Sequence, residues 1–571
     1  MNKKSKSVVA VLALTTAFSA TSFTACGSKD EIIKDGKTVN VRVCRMGYGD
    51  EFAYELKERF EETFANEGYK LNILEPSTDM RGNVALTELA DGYDTTGVDL
   101  YISGGLTAEQ VGVNGDYGVV VEDLTELVYN QKPIGYDGKE ETQTIAQKLD
   151  PEVISYAKDS TGKMYNFMYA QSSAGLVVNT RKLAKYGLEL PRTTNEMFDC
   201  FDKIYRGTNG VGNSTSTSTY PVTYVSGTNG YALCAFLTMF AQYDIDEYNR
   251  FWSMEEKVDG VATPMRENGY EVYKSDAVLS MLTNAYRGMD VRAAAPGSTT
   301  QTLDQSQAKI MVDGKNNAVF MFNGDWMLNE VALNFEDEVD DIEFINTPVN
   351  SDLGLRLFGA GTSYNLSAEK ADDVLSLIAK CVDERKTIEQ IISTVSSTLD
   401  VTLDSVDAQT AANARGLVYN RGVESACWIN KGSEVKDIAA LVLRMMASED
   451  FAGSFARYAN SATPYGSFES MKNDYKFVQQ ALEIASNPYM KNIKGRPTGF
   501  RSELGLTNAL AGINHIPSKI TSGTITSIYD GKGGLTNGVD VSVYKTAATA
   551  MMNDAYDNAV ENWSEWLDRL N

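Results

Sequence analysis

The stretch 38–74 reads TVNVRVCRMGYGDEFAYELKERFEETFANEGYKLNIL, and its pattern decides the fold class. It opens with valine at positions 39, 41 and 43, alternating with polar residues in the period of a β-strand. A helix is predicted next, because apolar side chains recur every fourth residue along one stripe: Phe52, Leu56, Phe60 and Phe64. Asp50 is placed to cap this helix and Gly68 to end it, before a second strand at 71–74.

A third apolar segment, at 98–102, completes an opening α/β unit. Strand, helix and strand in this order predict a parallel pair joined by a right-handed crossover. Open parallel sheets bind ligands beyond the carboxyl ends of their strands. The loops at 45–50 and 103–106 are therefore the first places where a ligand site is expected.

The rest of the chain continues with helical and loop-like segments. Four segments carry apolar residues at helical spacing and are predicted helices: 194–205, 368–381, 435–446 and 547–570. Two segments rich in turn residues are predicted loops: 213–219 and 347–361. After N-terminal processing, about 550 residues remain, which is enough for at least two domains.

The N-terminus has the features of a processing signal. Lysines at positions 3, 4 and 6 precede an apolar stretch at 8–18, which is too short to span a membrane. Phe23-Thr24-Ala25-Cys26-Gly27 then resembles a bacterial lipobox, in which the cysteine receives lipid and becomes the new N-terminus. We predict a signal peptide at 1–25, lipidation of Cys26 and a tether at 26–37. The alternative is an ordinary secretory signal in which Cys26 has no role.

Acidic residues dominate the composition, with 77 Asp and Glu against 52 Lys and Arg. Residues 1–25 hold three lysines and no acid, so their removal changes the net charge from −25 to −28. Such a surface argues against nucleic-acid binding and against direct adsorption to an anionic bilayer. Lipid would therefore be the only contact with the membrane.

The sequence contains few residues of the types that catalytic and metal sites need. His515 is the single histidine, which leaves no basis for a Ser-His-Asp triad or a His-rich metal site. The stretch 530–540 lacks the alternating ligands and terminal Glu of a calcium-binding EF-hand. Five cysteines follow Cys26 without a CxxC pair, so no zinc site or disulfide scaffold is indicated, while a single disulfide is left open. We expect neither enzymatic activity nor a metal or other cofactor.

Several segments in a fixed order resemble the extracellular solute-binding proteins of sugar ABC importers, the maltose-binding type. The resemblance covers most of the mature chain and is carried by these segments: VDLYI at 98–102, DSTGKMY at 159–165, GLVVN at 175–179, LPRTTNE at 190–196, KNNAVFMFNGDW at 315–326, CWINKGSEVKDIAALVLRMM at 427–446 and YANSATPY at 458–465. Two departures stand out. A segment at about 352–421 is inserted relative to the family, and the C-terminal region is longer.

The resemblance implies an α/β fold of two lobes, the class II periplasmic-binding-protein type, with a ligand cleft at the hinge. The first lobe is expected at 38–170 plus 426–457. The second is expected at 171–425 plus 458–571, with the insert about 352–421 inside it.

The resemblance also implies side chains in the cleft that suit a sugar. Sugar hydroxyls need fixed donors and acceptors, and the C–H face of the ring needs a flat aromatic surface. Trp326 and Asp325 match the segment of the family's cleft tryptophan, and Trp428 falls on the predicted recrossing strand. Core packing is the alternative for both tryptophans, and helix capping for Asp325. The other candidates are Tyr48, Asp99, Ser103, Tyr169 and Tyr465.

By this resemblance the protein is expected to be an extracytoplasmic monomer, lipid-anchored to the outer face of the cytoplasmic membrane. It would capture a carbohydrate and pass it to the permease subunits of an ABC importer. The insert favours an oligosaccharide. Two alternatives stay open: a receptor for a peptide or other organic solute, and a surface lipoprotein glycosidase, which needs only two suitably placed carboxylates.

Overall fold

The computed structural model describes the chain from residue 31 to residue 570, with short gaps. The described ranges are 31–44, 47–76, 83–112, 119–207, 218–225, 230–258, 261–265, 267–332, 334–335, 338–493, 495 and 500–570. Its strands, in chain order, are β1 (Thr38–Val43), β2 (Lys70–Ile73), β3 (Leu100–Ile102), β4 (Phe167–Met168), β5 (Ser173–Asn179), β6 (Thr219–Thr223), β7 (Glu255–Val258), β8 (Val261–Pro264), β9 (Asn317–Gly324), β10 (Ile342–Asn346), β11 (Leu417–Asn420), β12 (Ala426–Ile429) and β13 (Lys491–Asn492).

The first lobe is built on a five-stranded sheet with the order β2-β1-β3-β12-β4. β1 pairs in parallel with β2 and β3, with Val39 opposite Leu71 and Val41 opposite Leu100. The parallel pairing predicted for the opening unit is thus confirmed. Strand β12 returns from much later in the chain and pairs antiparallel with both β3 and β4, so the end of the first lobe closes its own sheet.

Helices cover both faces of this sheet. They are α1 (Glu51–Thr63), α2 (Asn83–Asp91), α3 (Tyr93–Thr96), α4 (Ala108–Val111), a π-helical turn (Thr125–Tyr129), α5 (Ile145–Lys148) and α6 (Pro151–Ala157). The stripe that includes Phe52, Leu56 and Phe60 is buried against the sheet, as its spacing predicts. Two details differ from the prediction. Asp50 stands at the N-cap position without a side-chain capping bond, and α1 ends at Thr63. Gly68, at φ +71°, instead closes the turn that leads into β2.

The second lobe is built on a six-stranded sheet with the order β13-β11-β5-β9-β6, in which β10 also pairs with β5. Every residue of β5 and β9 is buried, which is the pattern of strands covered on both faces. The helices before the insert are α7 (Thr180–Ala184), α8 (Thr194–Arg206), α9 (Tyr231–Tyr243), α10 (Ile245–Ser253), a 3₁₀ turn (Gly269–Lys274), α11 (Asp276–Gly288), α12 (Leu303–Met311), α13 (Met327–Val331) and a 3₁₀ turn (Val339–Asp341).

The inserted segment folds as a helical unit on the second lobe. Its helices are α14 (Ser351–Phe358), α15 (Ala368–Asp383), α16 (Ile388–Leu399) and α17 (Ser405–Gly416). They enclose an apolar cluster of their own that includes Leu353, Leu375 and Ile391. The prediction of a loop at 347–361 is therefore wrong for its central residues, Ser351–Phe358, which are helical. Asn350 caps a helix there by accepting a hydrogen bond from the Asp352 N–H.

The remaining helices complete both lobes. They are a 3₁₀ turn (Gly422–Glu424), α18 (Lys436–Met446), α19 (Glu449–Tyr458), α20 (Lys476–Ala485), α21 (Phe500–Gly505), a π-helical turn (Leu506–Leu510), α22 (Ala511–Asn514), α23 (Ile516–Thr521) and α24 (Ser542–Leu570). All four predicted helices are present within a few residues of their expected bounds. The residues of the described ranges form no helix that is both long and apolar enough to cross a membrane.

The five cysteines in the described part of the chain are buried, and no disulfide joins any two of them. Buried cysteines of this kind act as small apolar side chains.

Candidate functional site

Three segments of the chain pass between the two lobes, at 169–173, 420–425 and 459–465, and they lie side by side. The Gln171 N–H donates to the Ala462 carbonyl at 2.8 Å, and the Arg421 N–H donates to the Ser172 carbonyl at 2.7 Å. The Asn420 side-chain oxygen accepts from the Ser172 N–H at 3.1 Å. These bonds join the three crossing segments into one narrow connection, which is where a two-lobe protein can bend.

Gly422 makes this close approach of the crossing segments sterically feasible. A Cβ at this position would lie 2.4 Å from the Ala170 carbonyl oxygen and 2.7 Å from the Gln171 Cα. Both neighbours are backbone atoms, so they cannot move aside by changing a side-chain rotamer. The glycine is therefore required by the packing of one crossing segment on another.

We expect Gly422→Ala to lower the free energy of unfolding by about 1–3 kcal/mol, because the added methyl group overpacks the crossing. The measurement is equilibrium unfolding in urea. Gly230→Ala is the matched control, since no described atom lies within 4 Å of the Cβ that it adds. Equal stability of the two variants would contradict the steric argument.

Ser172 connects the first lobe to the crossing segments. Its hydroxyl lies 2.7 Å from the Tyr48 hydroxyl and 3.3 Å from the Ser461 hydroxyl. Tyr48 comes from the loop between β1 and α1, where the sequence places a ligand contact. It packs edge-on against Tyr169, with ring centroids 6.0 Å apart. The structure thus brings two of the predicted residues, Tyr48 and Tyr169, to the junction of the lobes.

Asp325 reaches the same junction from the second lobe. It follows β9, and its Oδ2 accepts from the Ser173 N–H at 2.9 Å, while its own N–H donates to the Ser173 carbonyl at 3.1 Å. Its Oδ1 is buried and has no hydrogen-bond partner within the described part of the chain. Burial raises the pKa of Asp325 to about 7, despite the hydrogen bond from the Ser173 N–H that favours the carboxylate.

An aromatic pair and an arginine lie beside Asp325. The rings of Trp326 and Tyr231 are 4.8 Å apart and inclined at 57°, and the Arg421 guanidinium lies 5.7 Å from the Tyr231 centroid. Trp326 is only 7% exposed and belongs to the apolar core of the second lobe. Tyr231 and Arg421 are half-buried. The indole lies so close to Gly324 that a Cβ there would be 2.0 Å from it.

A second buried carboxyl lies close to this aromatic pair. Glu330 accepts a hydrogen bond from the Gln307 side-chain amide, and burial raises the pKa of Glu330 to about 7. Burial, followed by the Glu330 charge, raises the pKa of Tyr231 to about 12. The junction therefore combines two aromatic rings, one guanidinium and two carboxyls that are easily protonated.

The other predicted residues lie elsewhere or have structural partners. Trp428 and Asp99 lie on the far side of the first sheet. The Trp428 indole N–H donates to Asn166 Oδ1 at 2.7 Å. Its neighbour on β12, Cys427, packs on the face that includes Tyr48, so the alternation of the strand turns Trp428 away from the junction. Asp99 accepts from the Asn40 N–H at 2.9 Å and from the Ser433 hydroxyl at 2.6 Å.

Ser103 and Tyr465 are buried in the first lobe, and Tyr169 is fully buried where it packs on Tyr48 at the junction. The Tyr169 hydroxyl donates to the Ser103 carbonyl at 3.3 Å. Tyr465 stacks on Phe167, with ring centroids 5.3 Å apart. Cys26, the predicted lipidation site, lies outside the described residues. Within those residues, no cluster of three or more His, Cys, Asp or Glu side chains could hold a metal ion.

Sequence reasoning missed most of the polar residues at the junction: Ser172, Tyr231, Glu330, Asn420 and Arg421. None of them lies in a recognisable motif. Their partners are distant in sequence, as in the Tyr48–Ser172 pair, which is separated by 124 residues. The sequence indicated the location of these residues only indirectly, because the crossing segments adjoin β5 and β12, whose sequences resemble family segments.

No family profile and no curated protein sequence matches this chain. In structure, it is similar to the bacterial solute receptor AcbH, which has an exclusive substrate preference for β-D-galactopyranose. The match has a TM-score of 0.51 and 11% sequence identity, and covers 92% of this chain and 99% of AcbH. The predicted two-lobe α/β fold is thereby confirmed: this chain has the fold of a bacterial solute receptor.

Two further solved structures are similar at lower TM-scores. One is the GacH receptor of Streptomyces glaucescens, with a TM-score of 0.43, 12% identity, and coverage of 91% of this chain and 99% of that one. The other is an ABC substrate-binding protein of Listeria monocytogenes in complex with cycloalternan, with a TM-score of 0.48, 12% identity, and the same shares covered.

Proposed function

We propose that this chain captures a carbohydrate between its two lobes and delivers it to an ABC-type importer. The observation that carries this proposal is the junction of the lobes in a solute-receptor fold. There, Trp326 and Tyr231 lie beside Asp325 and Glu330. The preference of AcbH for a galactopyranose supports the same class of ligand.

The chemistry of the junction suits a neutral sugar. Aromatic side chains offer the C–H face of a pyranose a flat apolar surface at little cost in conformational entropy. Carboxyl and guanidinium groups fix the directions of hydroxyl hydrogen bonds, as acceptors and donors respectively. The unpartnered Asp325 Oδ1 is, among the atoms described at this junction, an acceptor with remaining capacity. A carboxyl that changes protonation near neutral pH accepts from one hydroxyl and, when protonated, donates to another.

Hinge closure is the proposed mechanism. The lobes would be divided at 170/171, 425/426 and 457/458, and would rotate about the crossing segments. A ligand that contacts both Tyr48 and the Asp325–Trp326 pair binds the closed state better, and this difference in affinity drives closure. The permease would recognise the closed form. Small-angle scattering is expected to show smaller dimensions with ligand than without, and unchanged dimensions would contradict closure.

The proposed place of action is the outer face of the cytoplasmic membrane, as the sequence predicts. The protein acts as a monomer without enzymatic activity, held on the outer face of the cytoplasmic membrane through lipid on Cys26. The helical insert on the second lobe is assigned to the binding of an oligosaccharide. If affinity did not change with the number of sugar units, this role of the insert would be excluded.

The first experiment is a thermal-shift screen of residues 27–571 against mono-, di- and oligosaccharides, with galactosides included. A ligand that binds only the folded state adds about 2.7 kcal/mol of stability at one hundred times its Kd. We expect Trp326→Ala to weaken binding by about 100-fold, as loss of a central aromatic contact does. Tyr231→Ala is a second variant that removes less of the core. Trp566→Ala, on α24, is the control and should keep the full shift.

The outcomes separate the candidate functions. A shift with one sugar series that is lost in both junction variants supports the proposal. A shift that survives both variants would place the site elsewhere. Recovery of the oligosaccharide in cleaved form would favour a glycosidase, and a shift with peptides alone would favour a receptor for another solute.

A further inference from the structure

A partly enclosed cavity of about 180 Å³ lies between the lobes. Its walls come from the first lobe at 148–153, from the crossing residue Gln171, and from the second lobe at 485–492. The cavity shares the crossing segments with the candidate sugar site, but Tyr48, Asp325 and Trp326 do not line it. Gln171 and Ser172 are neighbours in an extended crossing segment, so their side chains point in opposite directions. Ser172 contacts Tyr48, and Gln171 lines this cavity.

Two buried amide side chains at this cavity have unused hydrogen-bonding groups. Gln171 is 7% exposed and Asn492 is 9% exposed. The Gln171 Nε2, the Asn492 Nδ2 and the Asn492 Oδ1 have no hydrogen-bond partner among the residues that the structure describes. A buried polar group left in this state destabilises the folded protein. Three such groups at one cavity indicate a partner that supplies both acceptors and a donor.

The charged residues of the cavity are already engaged. The Lys148 ammonium pairs with Glu141 at 2.6 Å and donates to the Ala447 carbonyl at 3.1 Å. The Asp150 carboxylate caps α6 by accepting from the Glu152 N–H at 2.7 Å. Because these charges are compensated within the protein, the cavity favours a neutral molecule over an anion or a cation.

The remaining wall is apolar and the space is small. Val153, Pro464, Met471 and Met490 provide aliphatic and thioether surface. A volume of 180 Å³ corresponds to about six water molecules at the density of the liquid. We propose that this cavity is a second binding site, which takes a small neutral polyol. Its hydroxyl oxygens accept from Gln171 and Asn492, one hydroxyl donates to Asn492, and its carbon chain packs on the methionines.

Ligand-observed NMR by saturation transfer tests this site, with glycerol and erythritol as probes and the chain from residue 27 to 571 as receptor. We expect signals with the wild-type protein and at least a tenfold loss of affinity in Asn492→Leu, which removes one donor and one acceptor. Asn492→Leu should keep or raise the melting temperature, because the amide has no described partner to lose. Ala485→Met is a second variant that fills the cavity without changing a polar group.

Trp326→Ala is the matched control and should leave polyol binding unchanged. Absence of saturation transfer to either polyol in the wild-type protein would overturn the proposal and assign the cavity to water. Binding that is lost in Trp326→Ala but retained in Asn492→Leu and Ala485→Met would also overturn it, by assigning the polyols to the candidate sugar site.

Discussion

Replacing Lys182 by methionine is expected to lower the free energy of unfolding by about 1–3 kcal/mol, because the lost hydrogen bonds outweigh the relief of no longer burying a charge. Lys182 lies on α7 and is almost completely buried. Its ammonium group, with three N–H donors, lies within hydrogen-bond distance of four carbonyl oxygens, of Lys309, Ile310, Val312 and Ala318, at 2.8–3.1 Å. Three of these carbonyls are in or just after the last turn of α12, which has no further N–H to satisfy them, and of the three the Ile310 carbonyl also accepts from the Asn179 side-chain amide at 2.9 Å.

The expected loss of stability follows from the carbonyl groups that Lys182→Met leaves without a donor. Methionine has a similar length and keeps the packing of the aliphatic chain, so the cavity term is small. However, it donates no hydrogen bond, and buried carbonyls without a donor each cost about 1–3 kcal/mol. The loss of a cation at a helix C-terminus adds to this cost.

The measurement is urea unfolding at about pH 6. Burial lowers the pKa of Lys182 to about 7, so the ammonium form prevails at that pH, and the cost of burying this charge offsets part of the loss of hydrogen bonds. Lys185→Met is the matched control, because Lys185 is exposed and its nearest acid, Asp313, is 3.5 Å away. The control should change stability by less than about 1 kcal/mol. A similar small loss for Lys182→Met would show that the carbonyls find other donors.

The fold was predictable where the sequence pattern is local and repeated. Alternating valines in β1 and the Phe52–Leu56–Phe60 stripe of α1 each bury one face, and both appear in the structure as expected. Helix α14 was missed, since glycine, asparagine and aspartate near Ser351–Phe358 are typical of turns. Packing of Leu353 and Phe358 into the core of the insert overrides that local preference.

The site was predictable only in part, because its contacts join residues that are far apart in the chain. Tyr48 and Asp325 reach the junction through Ser172 and Ser173, which carry no motif. Trp428 was placed on the correct strand, but one residue decides which face of the sheet a side chain occupies. The face that Trp428 occupies depends on the register in which β12 pairs with β3 and β4. The sequence of β12 alone does not determine that register.

The second large effect is expected from Asp325→Asn, which should raise the stability of the protein above neutral pH. Burial raises the pKa of Asp325 from an ordinary value of 3.8 to about 7. Between these two values the folded state binds more protons than the unfolded state. The free energy of unfolding therefore falls as pH rises from about 4 to about 7, and then stays level.

The shift in the Asp325 pKa corresponds to at most about 4 kcal/mol of unfolding free energy. A smaller gain in stability is expected from Asp325→Asn, because asparagine is also a buried polar group. We expect Asp325→Asn to be more stable than the wild type by about 1–3 kcal/mol at about pH 8, and to show a flatter profile below pH 7. Some dependence of the unfolding free energy on pH should remain in this variant, because burial also raises the pKa of Glu330. The double variant with Glu330→Gln should remove most of it.

The measurement is urea unfolding across the range from about pH 4 to pH 8. Asp137→Asn is the control, because that carboxylate is fully exposed and Lys139 holds its pKa below the ordinary value. It should leave the decline between pH 4 and pH 7 unchanged. Sugar binding by Asp325→Asn, measured in parallel, should be weaker. A protein that keeps a buried carboxyl at a cost in stability is expected to use it, and a variant that gained stability without losing affinity would argue that Asp325 has no part in binding.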